Sequence, residues 1–275
     1  MKHFLSRAKR FLFREEQAKR IIASISYLQP NNRLLGKRII VTGGGSGIGF
    51  SMAKKFTEEG AIVLIAGRKE EVLKESARAI GCHYLVFDVQ KVDTHFHFIK
   101  EAEIILGGLD CLVNNAGVSL HETDFTAVTP ESFDIQINTN LKGPFFLTQQ
   151  FVQFLVSKKT SGAILFISSE TGETADERPY GWTKAAINSM VRGLAYRVAK
   201  SHIRVNAIAP GVTASNMTGF KEDGDLYNPN NPGGRIYLPD EIAEIACFLL
   251  SDISSSISGQ IITCNNGNTI NARWK

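Results

Sequence analysis

The chain has 275 residues, of which 43% are hydrophobic and 21% are charged, a balance that excludes a disordered or low-complexity protein. Residues 1–38 carry ten Lys or Arg and two Glu, a net charge of +8, so the overall +4 leaves −4 on the remaining chain. This distribution argues against a basic nucleic-acid-binding face on the main part of the protein.

Residues 1–36 are predicted to form a basic amphipathic extension. Apolar residues recur there in steps of three or four, which indicates one helix face, and Pro30 ends the pattern. Arg7, Lys9 and Arg10 interrupt the apolar run that a secretory signal or a spanning helix needs. Three interpretations stay open: an arm that docks on its own or a sister subunit, a helix that attaches to a membrane surface, and a disordered tail.

From residue 37 onward, short β-branched runs alternate with helical stretches. Strands are predicted over 38–42, 61–66, 83–87, 110–114, 162–168, 203–208 and 260–264. Helices are predicted over 47–59, 70–79, 92–106, 130–156, 179–201 and 239–251. Strictly alternating strands and helices favour a doubly wound, Rossmann-type parallel sheet of seven strands, covered by helices on both faces. We therefore assign residues 37–275 to one α/β domain, in which the long polar segment 213–238 is predicted to be a lid or disordered.

The thiol and imidazole groups do not form the pattern of a metal site. The four cysteines lack a CxxC pair and are expected to be small buried residues in a reducing compartment; they are Cys82, Cys111, Cys247 and Cys264. His95 and His97 have no third ligand nearby in sequence and are predicted on a helix surface. We predict a cytoplasmic protein without a metal.

A glycine-rich turn, TGGGSGIG, occupies residues 42–49 at the end of the first strand and the start of a helix. Glycine allows a tight turn and lets backbone N–H groups approach a pyrophosphate at the helix N-terminus. The glycines Gly43, Gly47 and Gly49 follow a G-x3-G-x-G spacing rather than the commoner G-x-G-x-x-G. The position of the turn, between a strand and a helix of an alternating chain, indicates dinucleotide binding.

Further motifs follow in a fixed order along the chain. They are Asp88-Val89 after the third strand, NNAG at 114–117, Asn140 in NLKG, Ser168-Ser169, Tyr180-x-x-x-Lys184 and PGVT at 210–213. Together with the glycine turn, they resemble the short-chain dehydrogenase/reductase family from about Leu35 to Gly267. Members of that family interconvert a carbonyl and an alcohol by hydride transfer with a nicotinamide cofactor.

The resemblance implies a catalytic group of four residues. Tyr180 would be the general acid/base, and Lys184, four residues later on the same helix face, would lower its pKa and hold the ribose hydroxyls. Ser169 would orient the substrate oxygen, and Asn140 would hold a water that links Lys184 to solvent. Ser169 is preferred to Ser168 because it precedes Gly172 by three residues, as is usual in the family.

The segment between Ser169 and Tyr180 departs from the family pattern. The interval of eleven residues is shorter than usual, and the sequence GETADERP within it is rich in charge. One interpretation is a solvated charged turn; the other is a polar wall of the substrate pocket.

The second strand predicts which nicotinamide cofactor is used. An acid at the tip of this strand would bind the ribose of NAD, whereas the chain has Arg68, whose guanidinium suits a 2′-phosphate. This favours NADP (NADPH) over NAD, although the family's second basic position holds Ser46. By the family pattern, the cofactor would contact Gly43, Ser46, Gly47, Ile48, Gly49, Arg68, Asp88, Val89, Asn115, Ala116, Gly117, Tyr180, Lys184, Pro210, Gly211 and Thr213.

Substrate and partners are less constrained. The polar 213–238 segment favours a small polar carbonyl or alcohol, with 3-oxoacyl-carrier-protein reductase as the alternative and a non-catalytic dinucleotide-binding subunit as a second. The family commonly pairs subunits through the helices here predicted at 130–156 and 179–201. The first of these carries more apolar residues than one buried face needs, including Phe145 and Phe154. We expect a homodimer or homotetramer.

Overall fold

The computed structural model describes residues 32–215 and 217–270. Within them, seven parallel strands form one sheet in the order β3-β2-β1-β4-β5-β6-β7. The strands are β1 (Arg38–Thr42), β2 (Ile62–Gly67), β3 (His83–Val86), β4 (Cys111–Asn114), β5 (Gly162–Ile167), β6 (Ile203–Pro210) and β7 (Ile261–Cys264). The predicted Rossmann-type sheet is confirmed.

Helices cover both faces of this sheet. They are α1 (Gly47–Glu58), α2 (Glu70–Ile80), α3 (His95–Leu106), α4 (Pro130–Ile137), α5 (Gly143–Lys158), α6 (Pro179–Val198) and α7 (Pro239–Leu250). Side chains alternate along each strand, so Ile40 packs with α3, α5 and α6, whereas Ile39 and Val41 pack with α1, α2 and α7. The result is two apolar cores separated by the sheet.

The position of the ligand-binding crevice follows from the strand order at the centre of the sheet. β1 pairs with β2 on one side and with β4 on the other, and the chain runs outward from this point in both directions. The loops after β1 and β4 therefore diverge at the carboxyl edge and leave a crevice between them. Ligands of open α/β sheets bind in such a crevice.

The predicted helix over 130–156 is interrupted. It ends as an α-helix at Ile137, continues as a wider π-turn over Asn138–Lys142, and resumes at Gly143. A Cβ on Gly143 would lie 2.4 Å from the Val89 carbonyl oxygen, so glycine permits this close approach. The interruption sets the position of Asn140.

The end of the predicted extension packs on the domain. Residues 1–31 lie outside the described residues, but Leu34 is fully buried in the core beneath α1 and α7. The Arg33 side chain binds Glu59 and Glu244. Residues 32–36, assigned above to the extension, are thus part of the packed domain.

His95 also differs from expectation, whereas its neighbour does not. His95 is completely buried and its Nε2 lies 2.9 Å from the Val89 carbonyl oxygen, while His97 is exposed. Burial lowers the pKa of His95, so the neutral ring is favoured. The predicted surface position of His95 is therefore wrong: it lies in the first turn of α3, on the side that packs against the ring of Phe87.

The segment 213–238 forms a compact excursion with little regular structure. Isolated bridges join Thr213 to Tyr237 and Tyr227 to Arg235, and Ala214, Leu226 and Ile236 form a small apolar cluster. Within the described residues, no helix is long and apolar enough to span a membrane.

Candidate active site

A cavity of about 410 Å³ opens at the carboxyl edge of the sheet. Its walls come from the loops after β1, β4, β5 and β6, the start of α6, and the segment 213–238. Most of the predicted site residues line it: Gly43, Ser46, Gly47, Ile48, Gly49, Asn115, Ala116, Gly117, Ser169, Tyr180, Lys184, Pro210, Gly211 and Thr213. The fold therefore gathers motifs that are far apart in sequence around one space.

The glycine turn is locked to the loop after β4. Gly43 has a φ of +66°, and a Cβ there would lie 2.9 Å from the side-chain nitrogen Nδ2 of Asn115. Asn115 Nδ2 donates to the carbonyls of Thr42 and Gly43. The Thr42 hydroxyl accepts from the backbone N–H groups of Asn115 and Ala116. These bonds leave the turn no room for side chains at its tightest points.

The N-terminus of α1 faces the cavity. Ser46 is its N-cap residue in extended conformation, and its side chain makes no capping hydrogen bond. The first turn contains no acidic residue. The first N–H groups of a helix have no intrahelical partner and attract anions, so this end can accept a phosphate group. The residues present thus fit the pyrophosphate of a dinucleotide.

Lys184 projects from α6, and its side chain is almost completely buried. Its Nζ donates to the Ile167 carbonyl at 2.9 Å and lies 5.4 Å from the centre of the Tyr180 ring. Among the described residues, no carboxylate lies within 4.0 Å of this nitrogen, and burial lowers its pKa to about 8. The ammonium is held close to its point of proton loss.

Tyr180 shows the opposite response to the same burial. Loss of water raises the pKa of its phenol, and the neighbouring Ser169 hydroxyl only partly offsets this. The pKa of Tyr180 is therefore raised, whereas Lys184 was expected to lower it, because the effect of burial is larger than that of the opposing contact. In this arrangement Tyr180 is a protonated phenol at neutral pH.

The two adjacent serines have different surroundings. Ser168 Oγ donates to Asn188 Oδ1 at 2.6 Å and to the Lys184 carbonyl, so it is bound to the side of α6. Ser169 instead caps the short turn Glu170–Glu173 and lines the cavity together with Tyr180. This difference favours Ser169 over Ser168 as the serine that meets a substrate.

Asn140 lies behind the cavity wall rather than in it. Its side chain accepts from the Val118 N–H and donates to the Val118 carbonyl, both at 2.8 Å. A Cβ built on Gly117 would lie 3.5 Å from Asn140 Oδ1 and 3.7 Å from Lys184 Nζ. Gly117 therefore leaves a narrow gap between the two groups.

Three predicted cofactor contacts lie outside the cavity lining. Arg68 is exposed just beyond the end of β2, and Asp88 is half-buried beyond β3, where it accepts from the Gln90 N–H. Val89 is buried and its carbonyl contacts His95. All three lie beyond the carboxyl ends of β2 and β3, on the opposite side of β1 from β5, the strand that precedes Tyr180.

The charged turn before Tyr180 contributes to the wall. Arg178 lines the cavity and binds Asp176 through Nε at 3.0 Å, while its Nη1 donates to the Glu122 carbonyl. Glu122 and Glu170 also line the cavity. No sequence motif marks these two acids; only their positions in the loops after β4 and β5 could have indicated them. Within the turn itself Arg178 lines the cavity, so the polar-wall interpretation agrees with the geometry at that residue.

Comparison with known proteins agrees with the architecture. A family model described as enoyl-(acyl carrier protein) reductase matches residues 43–269. A 3-oxoacyl-[acyl-carrier-protein] reductase of Chlamydia trachomatis is 35% identical over 245 residues, covering 85% of this chain and 98% of that protein. A 3alpha-hydroxysteroid dehydrogenase of Mediterraneibacter gnavus is 32% identical, covering 84% and 96%.

A solved structure resembles the whole domain. The 3-ketoacyl-(acyl-carrier-protein) reductase of Brucella melitensis, complexed with NADH, superposes with a TM-score of 0.79 at 29% identity. The match covers 86% of this chain and all of that one. The chain therefore belongs to the short-chain dehydrogenase/reductase family and is an oxidoreductase.

Proposed function

We propose that the protein interconverts a carbonyl and a secondary alcohol on a small polar substrate, with NADP as its nicotinamide cofactor. The observation that carries this proposal is the placement of Ser169, Tyr180 and Lys184 on one side of a cavity whose other side is the glycine turn and the N-terminus of α1. When bound, the nicotinamide supplies or accepts the hydride. The chain's own residues bind the cofactor and the substrate, orient them, and transfer the proton.

The proton in carbonyl reduction comes from Tyr180. Its phenol is protonated at neutral pH because burial raises its pKa, so it is available as the general acid. As its proton leaves, negative charge develops on the phenol oxygen. The Lys184 ammonium, and the Ser169 hydroxyl that lines the same cavity, oppose that cost. Lys184, whose pKa is about 8, then regains or releases protons near neutral pH.

Proton supply to Lys184 is assigned to the region of Asn140. The narrow gap that Gly117 leaves between Asn140 Oδ1 and Lys184 Nζ suits a bridging water. Asn140 itself is fixed by its two bonds to Val118, so its position does not depend on a ligand.

The preference for NADP rests on Arg68. No acid occupies the tip of β2, and Arg68 forms no ion pair among the described residues. Its exposed guanidinium is therefore available to a 2′-phosphate. Asp88, Val89 and Thr213 are proposed to contact the adenine and the carboxamide, following the family pattern.

The polar wall distinguishes two substrate classes. Glu122, Glu170 and Arg178 favour a small substrate that carries hydroxyl or other polar groups. A 3-oxoacyl-carrier-protein substrate is the second candidate, because 3-oxoacyl-[acyl-carrier-protein] reductases align with this chain over nearly their whole length. A non-catalytic dinucleotide-binding role is disfavoured by the presence of both Tyr180 and Lys184.

A substrate panel tests the proposal. Small polar ketones, polyols and 3-oxoacyl thioesters would be offered with NADPH, and the corresponding alcohols with NADP, and turnover followed at the nicotinamide absorbance. Turnover of the polar compounds supports the proposal. Turnover of the thioesters alone identifies the second candidate, and cofactor binding without turnover of any compound identifies the non-catalytic role.

Self-association is a separate proposal. Phe145 and Val156 on α5 and Trp182 and Tyr196 on α6 are exposed in the single chain, and Tyr196 is 90% exposed. A second copy of the chain would cover such apolar surface. The mass in solution at micromolar concentration tests this, and a monomer would contradict it.

A membrane-surface role for residues 1–36 would appear as salt-sensitive binding to anionic vesicles.

A further inference from the structure

Thr171 makes two hydrogen bonds to the hydroxyl of Ser169. Its backbone N–H donates to Ser169 Oγ at 3.3 Å, and its own Oγ1 donates to the same atom at 3.0 Å. A serine hydroxyl has two acceptor positions and one proton. Thr171 therefore fills both acceptor positions and leaves the proton of Ser169 for another partner.

The remaining partner lies on the cavity side. Ser169 is only 9% exposed, and it lines the cavity together with Tyr180. The two hydroxyls therefore stand in series: Thr171 donates to Ser169, and Ser169 faces the cavity in which Tyr180 lies. Each donor in such a chain polarises the next, which strengthens the bond at its end.

We propose that Thr171 is a positioning residue, which fixes the Ser169 hydroxyl so that its proton points into the cavity toward the substrate carbonyl, beside Tyr180. The inference rests on the proposed function, because it acts through Ser169 and Tyr180. Without the Thr171 hydroxyl, Ser169 gains a free acceptor position and can rotate its proton away from the cavity.

The turn that carries Thr171 is held independently of this bond. Asn188 Nδ2 donates to the Gly172 carbonyl and to Glu173 Oε1, the latter at 2.6 Å. Glu170 Oε2 accepts from the side chains of Asn265 and Asn268. Because these anchors remain when only the Thr171 hydroxyl is removed, a substitution at Thr171 tests orientation rather than the folding of the turn.

The decisive variant is Thr171→Val, which keeps the shape and the backbone N–H but removes the hydroxyl donor. Thr171→Ser restores the donor. Thr174→Val removes a similar hydroxyl from the exposed end of the same turn, where Oγ1 donates only to the Thr171 carbonyl. Rates would be measured with ethyl acetoacetate and NADPH, or with whichever carbonyl compound of the panel gives the highest rate, and in reverse with its alcohol and NADP.

We expect Thr171→Val to lower kcat roughly three- to tenfold with little change in KM, as the loss of one hydrogen bond implies. In alcohol oxidation, where Tyr180 must lose its proton first, the rise of kcat with pH should move to higher pH. Thr171→Ser should recover both values, and Thr174→Val should match the parent.

Three results would overturn the inference: a parent-like kcat and pH profile in Thr171→Val, a loss of thermal stability with unchanged kcat, or a failure of Thr171→Ser to restore the rate. Tyr180→Phe, measured alongside, separates the two levels. An active Tyr180→Phe overturns the proposed function itself, whereas an inactive Tyr180→Phe beside a parent-like Thr171→Val overturns only the role of Thr171.

Discussion

Two lysines of this protein are almost fully covered by protein, and their pKa values shift in opposite directions. Lys184 in the cavity is 5% exposed and Lys55 on α1 is 6% exposed. Burial lowers the pKa of Lys184 to about 8. Burial alone would also lower the pKa of Lys55, but hydrogen bonds with Glu244 and Glu59 outweigh it and raise the pKa.

The difference lies in the partners. Lys55 belongs to a closed ring of four charges, in which Lys55 and Arg33 each bind both Glu59 and Glu244. Lys184 has a backbone carbonyl instead. Paired charges hold α1, α7 and the segment before β1, which carries Arg33, together. The Lys184 ammonium has no carboxylate partner among the described residues and remains available to Tyr180 at the carboxyl edge.

The largest expected effect is on Tyr180, the proposed proton donor beside Lys184. Tyr180→Phe keeps the ring but removes the phenol, so turnover should fall by ~10²–10⁴-fold, the usual contribution of a general acid. Cofactor affinity should stay close to that of the parent. Steady-state rates and NADPH titration measure the two quantities. A variant that keeps a tenth or more of the rate would contradict the role of Tyr180.

The charge ring should respond in stability instead. Lys55→Met leaves Glu59 and Glu244 with one cation, and breaking a buried ion pair on one side costs about 3–5 kcal/mol. Urea unfolding would measure the loss. Lys54→Met, at the adjacent exposed position, is the matched control and should change little. Equal stability of the two variants would show that the ring does not hold α1 and α7.

The same ring sharpens the boundary of the extension. Removal of residues 1–31 should leave NADPH binding intact, because no proposed site residue precedes Gly43. Removal of residues 1–34 also deletes Arg33 and the buried Leu34 and should cost several kcal/mol more. Thermal unfolding and cofactor titration compare the two truncations. Loss of NADPH binding in the shorter deletion would place part of the extension in an active site.

Arg68 should affect affinity alone. A charge-assisted contact is worth about 1.5–3 kcal/mol, so NADPH should bind roughly ten- to a hundredfold more tightly than NADH. Arg68→Ala should remove most of this preference, and Arg78→Ala, at the exposed far end of α2, should keep it. Dissociation constants for both cofactors decide it. Equal affinities in the parent would make NAD the better assignment.

Sequence patterns predicted the sheet and the grouping of the motifs because both depend on local periodicity and on strand ends. They did not predict the charge ring, since Arg33 and Glu244 are 211 residues apart and no spacing rule joins them. They also missed the burial of His95, because a polar residue in the first turn of a helix is normally solvated. The π-turn at Asn140 depends on the contact between Gly143 and Val89, which only the packed chain contains.

The pH dependence of stability distinguishes the two lysines most clearly. Lys184 has a folded pKa below its ordinary value of 10.5, so its burial cost is full below pH 8 and disappears as pH rises toward 10.5. A pKa lowered from 10.5 to about 8 corresponds to roughly 3 kcal/mol. Lys55 has a raised folded pKa, so its contribution is constant across this window and is lost only at higher pH.

The unfolding free energy of Lys184→Met relative to the parent, measured in urea at pH 7 and again near pH 10.5, tests whether an unpaired ammonium lies in the cavity wall. Comparing the two pH values cancels the packing of methionine and the lost bond to Ile167. We expect the advantage of Lys184→Met over the parent to be about 3 kcal/mol larger at pH 7, whereas the deficit of Lys55→Met should be the same at both pH values. A pH-independent difference for Lys184→Met would contradict the claim that an unpaired ammonium is held at the catalytic edge.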